Sequence, residues 1–251
     1  MNQTAPHTKS PLSIHHSFWL HDQPLEKNYP ILEGDHQTDV LIIGAGITGL
    51  STALELLERG RKVTVCEAAV IGSGTTGGSS GHLDAHPEIG PQALLDQLGE
   101  EKAQAFTSMR LNAIRAIQNR CDESCDFRSL EAYYYTEDKN AVSDLQAECE
   151  AAAKIGLSVK WSDEIPIPRA QGGYSIQGMG RINCYNYQKH LAELVVQKGG
   201  QLFEQTQVSG PVEPAPISLK TAAGHEIRFE QVVCAVHCNY TDFLQLYAET
   251  P

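Results

Sequence analysis

The chain has 251 residues, of which 41% are hydrophobic and 20% are charged, a balance typical of a globular protein of one or two domains. Because 31 Asp and Glu outnumber 19 Lys and Arg, the formal charge is −12, and an acidic chain without a basic cluster excludes binding to a nucleic-acid backbone. Seven Cys without a secretory signal predict reduced intracellular thiols. No apolar run approaches the about 20 residues of a membrane helix, so we expect a cytoplasmic protein that does not bind membranes.

The first recognisable folding unit follows a polar segment. Residues 1–38 are rich in Pro, His and polar side chains and are predicted to form an N-terminal arm. Next, Val40–Ile43 is a continuous apolar run, as expected of a strand buried on both faces of a parallel sheet. Apolar residues at helical spacing predict a helix over 50–59, and residues 62–67 form a second predicted strand. Together these elements predict a β–α–β unit.

The turn between the first strand and the helix carries the strongest motif, Gly44-Ala45-Gly46-Ile47-Thr48-Gly49. In this GxGxxG pattern Gly44 allows a tight turn, Gly46 lets a pyrophosphate approach the backbone, and Gly49 lets the helix lie close to the strand. The helix N-terminus offers free N–H groups to phosphates. Glu67 ends the second strand, where its carboxylate would accept ribose hydroxyls and repel a 2′-phosphate. The pattern predicts a dinucleotide site; the alternative is a glycine turn that binds nothing.

A second glycine-rich segment follows the acid. Residues 72–82, GSGTTGGSSGH, are small and rich in hydroxyl groups. This composition predicts a loop that wraps backbone donors around a second phosphate and the rest of the cofactor. The alternative is a flexible surface loop.

The remainder of the chain alternates predicted helices and strands. Helices are predicted over 91–119, 139–155 and 187–198. Strands are predicted over 131–136, 157–161, 174–176, 202–204, 207–212, 217–221, 226–229 and 232–236.

These segments resemble the D-amino-acid-oxidase-like superfamily of FAD-dependent oxidoreductases, which includes glycine, sarcosine and gamma-glutamylputrescine oxidases. The resemblance rests on DVLIIGAGITGLSTALELLERGRKVTVCEA and IGSGTTGGSSGHL, and is extended by GRINCYNYQKHLAELVVQKGG, FEQTQVSGPV and FEQVVCAVHCNY. It covers residues 18–246. Within the superfamily, YPILEGDHQTDV, TTGGSSGHLDAH and VVCAVHCNYTDF are most similar to members that carry a C-terminal Rieske iron–sulfur domain.

The resemblance implies an α/β fold, with a Rossmann-like FAD-binding domain in two segments and an inserted, incomplete mixed-sheet substrate domain. The implied division is an arm over 1–38, FAD-binding segments over 39–120 and 180–251, and the insertion over 121–179. Chains of this family normally continue beyond the position of Pro251. The sequence therefore resembles a C-terminally truncated member, and a partner subunit or a missing C-terminal domain is expected.

The implied activity is oxidation of a small-molecule amine or amino acid by hydride transfer to the flavin, followed by hydrolysis of the imine. Two alternatives stay open. The chain could be an FAD-holding subunit or a non-catalytic fragment completed by a partner chain, or an NAD-dependent dehydrogenase that uses the same fingerprint. The sequence assigns no catalytic residue.

The cofactor-binding residues follow from the motifs and the resemblance. They are Gly44, Ala45, Gly46, Ile47, Thr48, Gly49, Glu67, Ala68, Ser73, Gly74, Thr75, Thr76, Gly78, Ser79, Ser80, Gly81, His82, Val208, Ala235 and Val236. In dimethylglycine-dehydrogenase-like relatives a His in the second loop carries the flavin covalently. The matching position here is Gly78, so the FAD is expected to be non-covalent.

Several other side chains are candidates for a functional role. A Rieske cluster needs a C-x-H and a C-x-x-H motif, and this chain has only Cys234 to His237, so no metal site is expected. Cys121 and Cys125 are interpreted as plain thiols. Arg181 could meet a substrate carboxylate or pair at the surface. Among Tyr133, Tyr134 and Tyr135, the first and last share a strand face, and one of the two faces could line the substrate site.

Overall fold

A computed structural model of the protein describes residues 17–21, 23, 25–214 and 217–236. The α-helices are α1 (Ile47–Glu58), α2 (Pro91–Leu98), α3 (Glu100–Arg120), α4 (Val142–Lys154) and α5 (Cys184–Gln197). The strands are β1 (His36–Gln37), β2 (Val40–Ile43), β3 (Val63–Cys66), β4 (His82–Leu83), β5 (Arg128–Thr136), β6 (Val159–Ser162), β7 (Gly172–Arg181), β8 (Gln201–Phe203), β9 (Val208–Pro214), β10 (Ile217–Thr221), β11 (Glu226–Arg228) and β12 (Gln231–Cys234). Short 3-10 helices cover Phe18–Leu20, Thr75–Gly78, Glu123–Cys125 and Lys139–Ala141.

The chain divides into two compact units. One combines the described parts of Met1–Ser80 and Cys184–Pro251, and the other is Gly81–Asn183. The unit Gly81–Asn183, called the inserted unit below, extends beyond the predicted insertion over 121–179 at both ends.

The first unit contains a parallel sheet in the order β12-β2-β3-β8. Every residue of β2 and β3 is buried, because their apolar side chains are covered on both faces. Helix α1 joins β2 to β3 and packs against α5. This arrangement confirms the predicted Rossmann-like fold. Helix α1 begins at Ile47, earlier than predicted, because the glycine turn itself forms its N-terminus.

A second sheet of the same unit has the order β1-β11-β10-β9. Strand β1 is parallel to β11, whereas β10 is antiparallel to both of its neighbours. Side chains from the two sheets share one apolar core, in which Leu41 of β2 lies with Leu219 of β10 and Ile227 of β11. The sequence predicted β9, β10 and β11; it did not predict β1, which is too short to have a periodicity.

The second unit is an antiparallel sheet in the order β4-β7-β5, with β6 also paired to β7. Buried Leu94, Ala103 and Ile114 of α2 and α3 pack in one core with Tyr174 and Met179 of β7. This packing places both helices in the inserted unit. Helical spacing shows that a helix has an apolar stripe but not which sheet the stripe covers, so the sequence assigned these helices to the other segment.

The single helix predicted over 91–119 is wrong in one respect. It is interrupted at Gly99, whose φ of 75° lies in the left-handed region that glycine adopts without strain. The Gly99 N–H donates to the Leu95 carbonyl oxygen at 2.8 Å and closes α2, and α3 then starts with Glu100 and Glu101 in its first turn. In the described part of the chain, no helix is both long enough and apolar enough to cross a membrane.

Candidate cofactor site

The first glycine turn contains two glycines that the protein's own backbone requires. Gly44 has a φ of 102°, and a Cβ there would lie 2.6 Å from the Ala235 carbonyl oxygen. A Cβ on Gly49 would lie 2.0 Å from the Gly44 carbonyl oxygen. Gly46 differs, because its φ is an ordinary −69° and the nearest atom to a Cβ would be Thr76 Oγ1 at 3.6 Å. Nothing in the fold requires glycine at position 46, so the open space there fits a ligand that approaches the backbone.

The carboxylate of Glu67 is held by two backbone groups. Its Oε2 accepts the Ala45 N–H at 3.0 Å, and its Oε1 accepts the Ala69 N–H at 3.0 Å. These bonds fix the side chain at the end of β3, beside the first turn. A carboxylate can accept about four hydrogen bonds, so capacity remains for ribose hydroxyls.

The second glycine segment repeats the geometry of the first turn. The letters GSGTTG over 72–77 are themselves a GxGxxG pattern. Gly72 has a φ of 91°, and a Cβ on Gly77 would lie 2.0 Å from the Gly72 carbonyl oxygen, the same contact as between the first and last glycines of the first turn. A Cβ on Gly74 would meet no atom within 4 Å. The segment predicted to wrap around a second phosphate thus has the glycine spacing of the first turn, a repeat that the sequence interpretation missed.

The N-terminal arm holds the second turn in place. The Trp19 indole N–H donates to the Ser79 carbonyl oxygen at 2.6 Å, and the Ser17 hydroxyl donates to the Gly77 carbonyl oxygen. Buried Glu204 accepts the Ile71 N–H at 2.7 Å with one oxygen, and the N–H groups of Asn28 and Tyr29 with the other. The second turn is therefore anchored by hydrogen bonds from the arm and from Glu204, which directly follows β8. Of the predicted arm, residues 1–16 lie outside the described part of the chain.

A cavity of about 600 Å³ is lined by both glycine turns. This volume falls within the about 300–1,000 Å³ of small-molecule sites. The residues predicted to bind the cofactor that line it are Gly44, Gly46, Ile47, Thr48, Glu67, Gly74, Thr75, Thr76, Ser79, Ala235 and Val236. A smaller cavity of about 160 Å³ shares Gly44, Glu67 and Val236 with the first and adds the predicted Ala68 and Val208.

Other predicted residues do not line these two cavities. Ala45 is buried beneath the first turn, and Gly49 lies under Gly44. Ser73 donates its hydroxyl to the Val70 carbonyl oxygen at 2.6 Å. Gly78 and Ser80 follow the second turn. Gly81 and His82 belong to the inserted unit, where His82 of β4 lies opposite Arg181 in the antiparallel pairing of β4 with β7. A role in binding the cofactor stays a prediction for every residue of the set.

The structure adds residues that the sequence interpretation missed. Val70, Gly72, Gln188 and Cys234 also line the larger cavity, and Thr206 and Gln207 also line the smaller one. Gln188 had a readable signal, because it is a polar residue on the stripe of α5 whose neighbours Cys184, Leu191 and Ala192 are buried. Its Nε2 donates to the Ala45 carbonyl oxygen at 2.6 Å.

The electrostatics of the site depend on the backbone. Among the residues that line the two cavities there is one carboxylate, Glu67, and no Lys or Arg. The negative charge of a phosphate would therefore be stabilised by the free N–H groups in the first helical turn of α1 and by the dipole of that helix. Burial raises the pKa of the Cys66 thiol to about 12, so this neighbour stays protonated and uncharged.

The weaker candidates belong to the inserted unit. Arg181 pairs with Asp126 at 3.0 Å, which is the surface pairing of its two predicted alternatives. Tyr134 packs in the core of the inserted unit, whereas Tyr133 and Tyr135 are 37% and 42% exposed on the opposite face.

Among the cysteine candidates, Cys121 and Cys125 lie within the described residues. Burial raises the pKa of Cys121 to about 12, with a further contribution from Cys125, which it contacts. No group of three His, Cys, Asp or Glu side chains suited to a metal is found within the described residues. His237, the last residue of the Cys234 to His237 motif, lies outside them.

Comparison with known proteins decides the family. The profile of the FAD dependent oxidoreductase (DAO) family matches residues 39–247, most of the chain. The chain belongs to this family. The match spans both glycine turns, Glu67, Gln188 and the strand β12, so the lining of the larger cavity lies within the family's domain.

Three relatives illustrate the similarity. A Bacillus subtilis protein named as a Rieske 2Fe-2S iron-sulfur protein, YhfW, is 31% identical over 225 residues, which are 88% of this chain and 44% of the relative. The oxidoreductase OrdL of Haemophilus influenzae is 30% identical over 239 residues, 91% of this chain and 55% of the relative. Glycine oxidase of Geobacillus kaustophilus is 25% identical over 186 residues, 69% of this chain and 47% of the relative.

The crystal structure of that glycine oxidase has the same fold. It matches with a TM-score of 0.65 and 22% identity, covering 86% of this chain and 59% of the enzyme. The chain thus spans about half the length of the relatives that it matches.

Proposed function

We propose that the larger cavity holds FAD and that the protein to which this domain belongs oxidises an amine or an amino acid. The observation that carries the proposal is the repeated turn. Gly44 with Gly49 and Gly72 with Gly77 make the same close contact, and both turns line one cavity. The central glycines of the two motifs are then the positions where the backbone is open to a ligand.

The residues fit the parts of FAD in a definite order. The pyrophosphate would lie over Gly46. There the N–H groups at the N-terminus of α1 would donate hydrogen bonds, and the lack of a Cβ on Gly46 leaves room for the phosphates. The adenosine ribose would donate hydroxyls to Glu67, which is held in place by Ala45 and Ala69. The adenine would enter the smaller cavity beside Ala68 and Val208.

The chain's contribution to the reaction is binding and orientation. A bound flavin would supply the redox chemistry, the acceptance of a hydride from the carbon that carries the amine, and the imine product would hydrolyse in water. Gly78, the position that matches the covalent His of some relatives, has no side chain to form a bond. We therefore infer non-covalent binding.

The donor class rests on the relatives. Glycine oxidase is named for an amino acid, and its similarity extends over 69% of this chain. A nicotinamide dehydrogenase, which would use the same first turn, is disfavoured because the family profile is one of FAD dependent enzymes.

A second candidate is a subunit that passes electrons to an iron–sulfur domain. It is favoured by the Bacillus subtilis relative, whose name is that of a Rieske 2Fe-2S protein. In this arrangement the described domain would hold FAD and a partner subunit or a further domain would supply the electron acceptor.

The direct test is the visible absorption spectrum of the purified protein, followed by acid precipitation and chromatography of the released chromophore. We expect a flavin spectrum and FAD in the supernatant. Flavin that stays with the pellet would contradict non-covalent binding, and release of a nicotinamide would contradict the choice of cofactor. Anaerobic bleaching by a panel of amines and amino acids then identifies the donor class. Absence of bleaching by the whole panel would contradict amine oxidation and leave the subunit role.

A further inference from the structure

One buried polar atom beside the glycine turns, Oε1 of Gln188, accepts no hydrogen bond from the described part of the protein. Gln188 is 3% exposed and lines the larger cavity. Its Nε2 donates to the Ala45 carbonyl oxygen at 2.6 Å, and because a carbonyl only accepts, this contact fixes which end of the amide faces Ala45. Within the described part of the chain, the other end, Oε1, is buried and has no hydrogen-bond partner.

Packing alone does not explain a glutamine at this position. The residues that share its stripe on α5 are Cys184, Leu191 and Ala192, all buried. An apolar side chain would continue that stripe without leaving an acceptor unpaired. Buried amide oxygens in folded proteins almost always have a donor, so the unpaired Oε1 calls for one from the ligand.

The chemistry of the ligand restricts the donor. Phosphate oxygens accept hydrogen bonds and do not donate, so the pyrophosphate cannot be the partner of Oε1. The hydroxyl groups of FAD lie on either side of the pyrophosphate, on the adenosine ribose and on the ribityl chain. The proposed acceptor for the adenosine ribose is Glu67, which binds the N–H of Ala45, whereas Gln188 binds the carbonyl oxygen of the same residue.

We propose that Gln188 Oε1 accepts a hydrogen bond from a ribityl hydroxyl of the bound flavin. This inference rests on the proposed binding of FAD and names a contact within that site. Gln188 would then have two functions. Its Nε2 supports the first turn by donating to Ala45, and its Oε1 accepts a hydrogen bond from a hydroxyl group of the cofactor.

The test combines variants of Gln188 with altered cofactors. Flavin is removed from the protein, and dissociation constants are measured by fluorescence titration for FAD, for analogues that lack one ribityl hydroxyl each, and for an analogue that lacks the adenosine 2′-hydroxyl. In the parent protein one ribityl analogue should bind about three- to tenfold more weakly than FAD, the size of one net hydrogen bond. In Gln188→Met the ratio of the dissociation constants for that analogue and for FAD should fall to about one.

Gln188→Glu separates the two ends of the side chain. It keeps an acceptor oxygen and the side-chain volume but loses the donor to Ala45, so the penalty for the same ribityl analogue should remain. A side chain that only supported the turn would not give a penalty that depends on the cofactor's hydroxyl. Gln197→Met is the matched control, because Gln197 lies exposed on the same helix and should leave every ratio unchanged.

Each other outcome has a distinct meaning. If the ribityl penalty persists in Gln188→Met, Oε1 meets only water and the inference is wrong. If the adenosine analogue is the one whose penalty disappears, the ribityl assignment is wrong. If Gln188→Met does not fold, judged by far-UV circular dichroism, loss of the penalty in Gln188→Glu would overturn the inference. If the parent protein binds no FAD at all, the proposed function fails instead.

Discussion

Glu67 Oε2 accepts the backbone N–H of Ala45 at 3.0 Å, so the acid that ends β3 also holds the glycine turn that precedes α1. The predicted ribose acceptor and the predicted phosphate turn are thus one hydrogen-bonded unit. A change at the acid should affect both the hydroxyl contacts of the cofactor and the position of the turn.

Glu67→Gln is expected to weaken FAD binding by at least about fivefold, because a charge-assisted hydrogen bond is stronger than a neutral one by about 1 kcal/mol. The amide end of Gln would also face one of two N–H donors, those of Ala45 and Ala69. Titration of the flavin-free protein with FAD measures the effect. Glu58→Gln, on an exposed position of α1, is the control, and an FAD affinity of Glu67→Gln equal to that of this control would refute the ribose assignment.

Gly46→Ala and Gly49→Ala should fail in different ways. The Cβ at position 46 enters space that is open in the protein, so the FAD-free variant should unfold at the parent's temperature while FAD affinity falls by about tenfold or more. The Cβ at position 49 meets the Gly44 carbonyl oxygen, so that variant should lose about 1–3 kcal/mol of stability even without FAD. Thermal unfolding and flavin titration of both variants make the comparison. Full FAD affinity in Gly46→Ala would show that the pyrophosphate does not lie over this residue.

Glu204→Ala should strongly destabilise the first unit. The buried carboxylate accepts the N–H groups of Asn28 at 2.7 Å, Tyr29 at 2.9 Å and Ile71 at 2.7 Å. Removing it leaves three backbone donors unpaired, each at a cost of about 1–3 kcal/mol, so we expect a loss of at least about 3 kcal/mol in urea unfolding.

Glu204→Gln should lose less stability, because the amide oxygen still accepts. Glu193→Ala, on an exposed position of α5, is the control. A loss below about 1 kcal/mol in Glu204→Ala would mean that water replaces the carboxylate and that the arm and the second turn do not depend on it.

The inserted unit should lose stability in mild acid through His86. Burial lowers the pKa of this imidazole, whose Nε2 lies 2.8 Å from the Tyr174 hydroxyl oxygen and whose ring stacks on Tyr134. The unfolded chain, with a His pKa of about 6.5, binds the proton more readily than the folded protein. This stabilisation is present above about pH 6.5 and is lost as the pH falls through the lowered pKa of the folded state.

His86→Gln should therefore flatten the dependence of the unfolding free energy on pH below about pH 6.5, as measured by urea unfolding over a series of pH values. His36, whose pKa is also lowered by burial, should contribute a separate share. If His86→Gln kept the full slope, the titration of His86 would not be coupled to folding.

The amino-acid sequence by itself determined the β–α–β unit, its glycine turn and the acid Glu67. These features lie within about thirty residues, where strand length, helix start and glycine spacing follow from local sterics and periodicity. The second turn was also encoded locally, in the spacing of Gly72 and Gly77, although the interpretation did not use it.

The tertiary structure alone decided which distant residues complete the site. Gln188 meets Ala45 across 143 positions, and Ala235 reaches Gly44 only because β12 pairs with β2 in the parallel sheet. Likewise α2 and α3 joined the inserted unit because their apolar stripes are buried against β7. Periodicity shows which face of a helix is apolar, but the partner of that face is set by long-range packing, which no local pattern encodes.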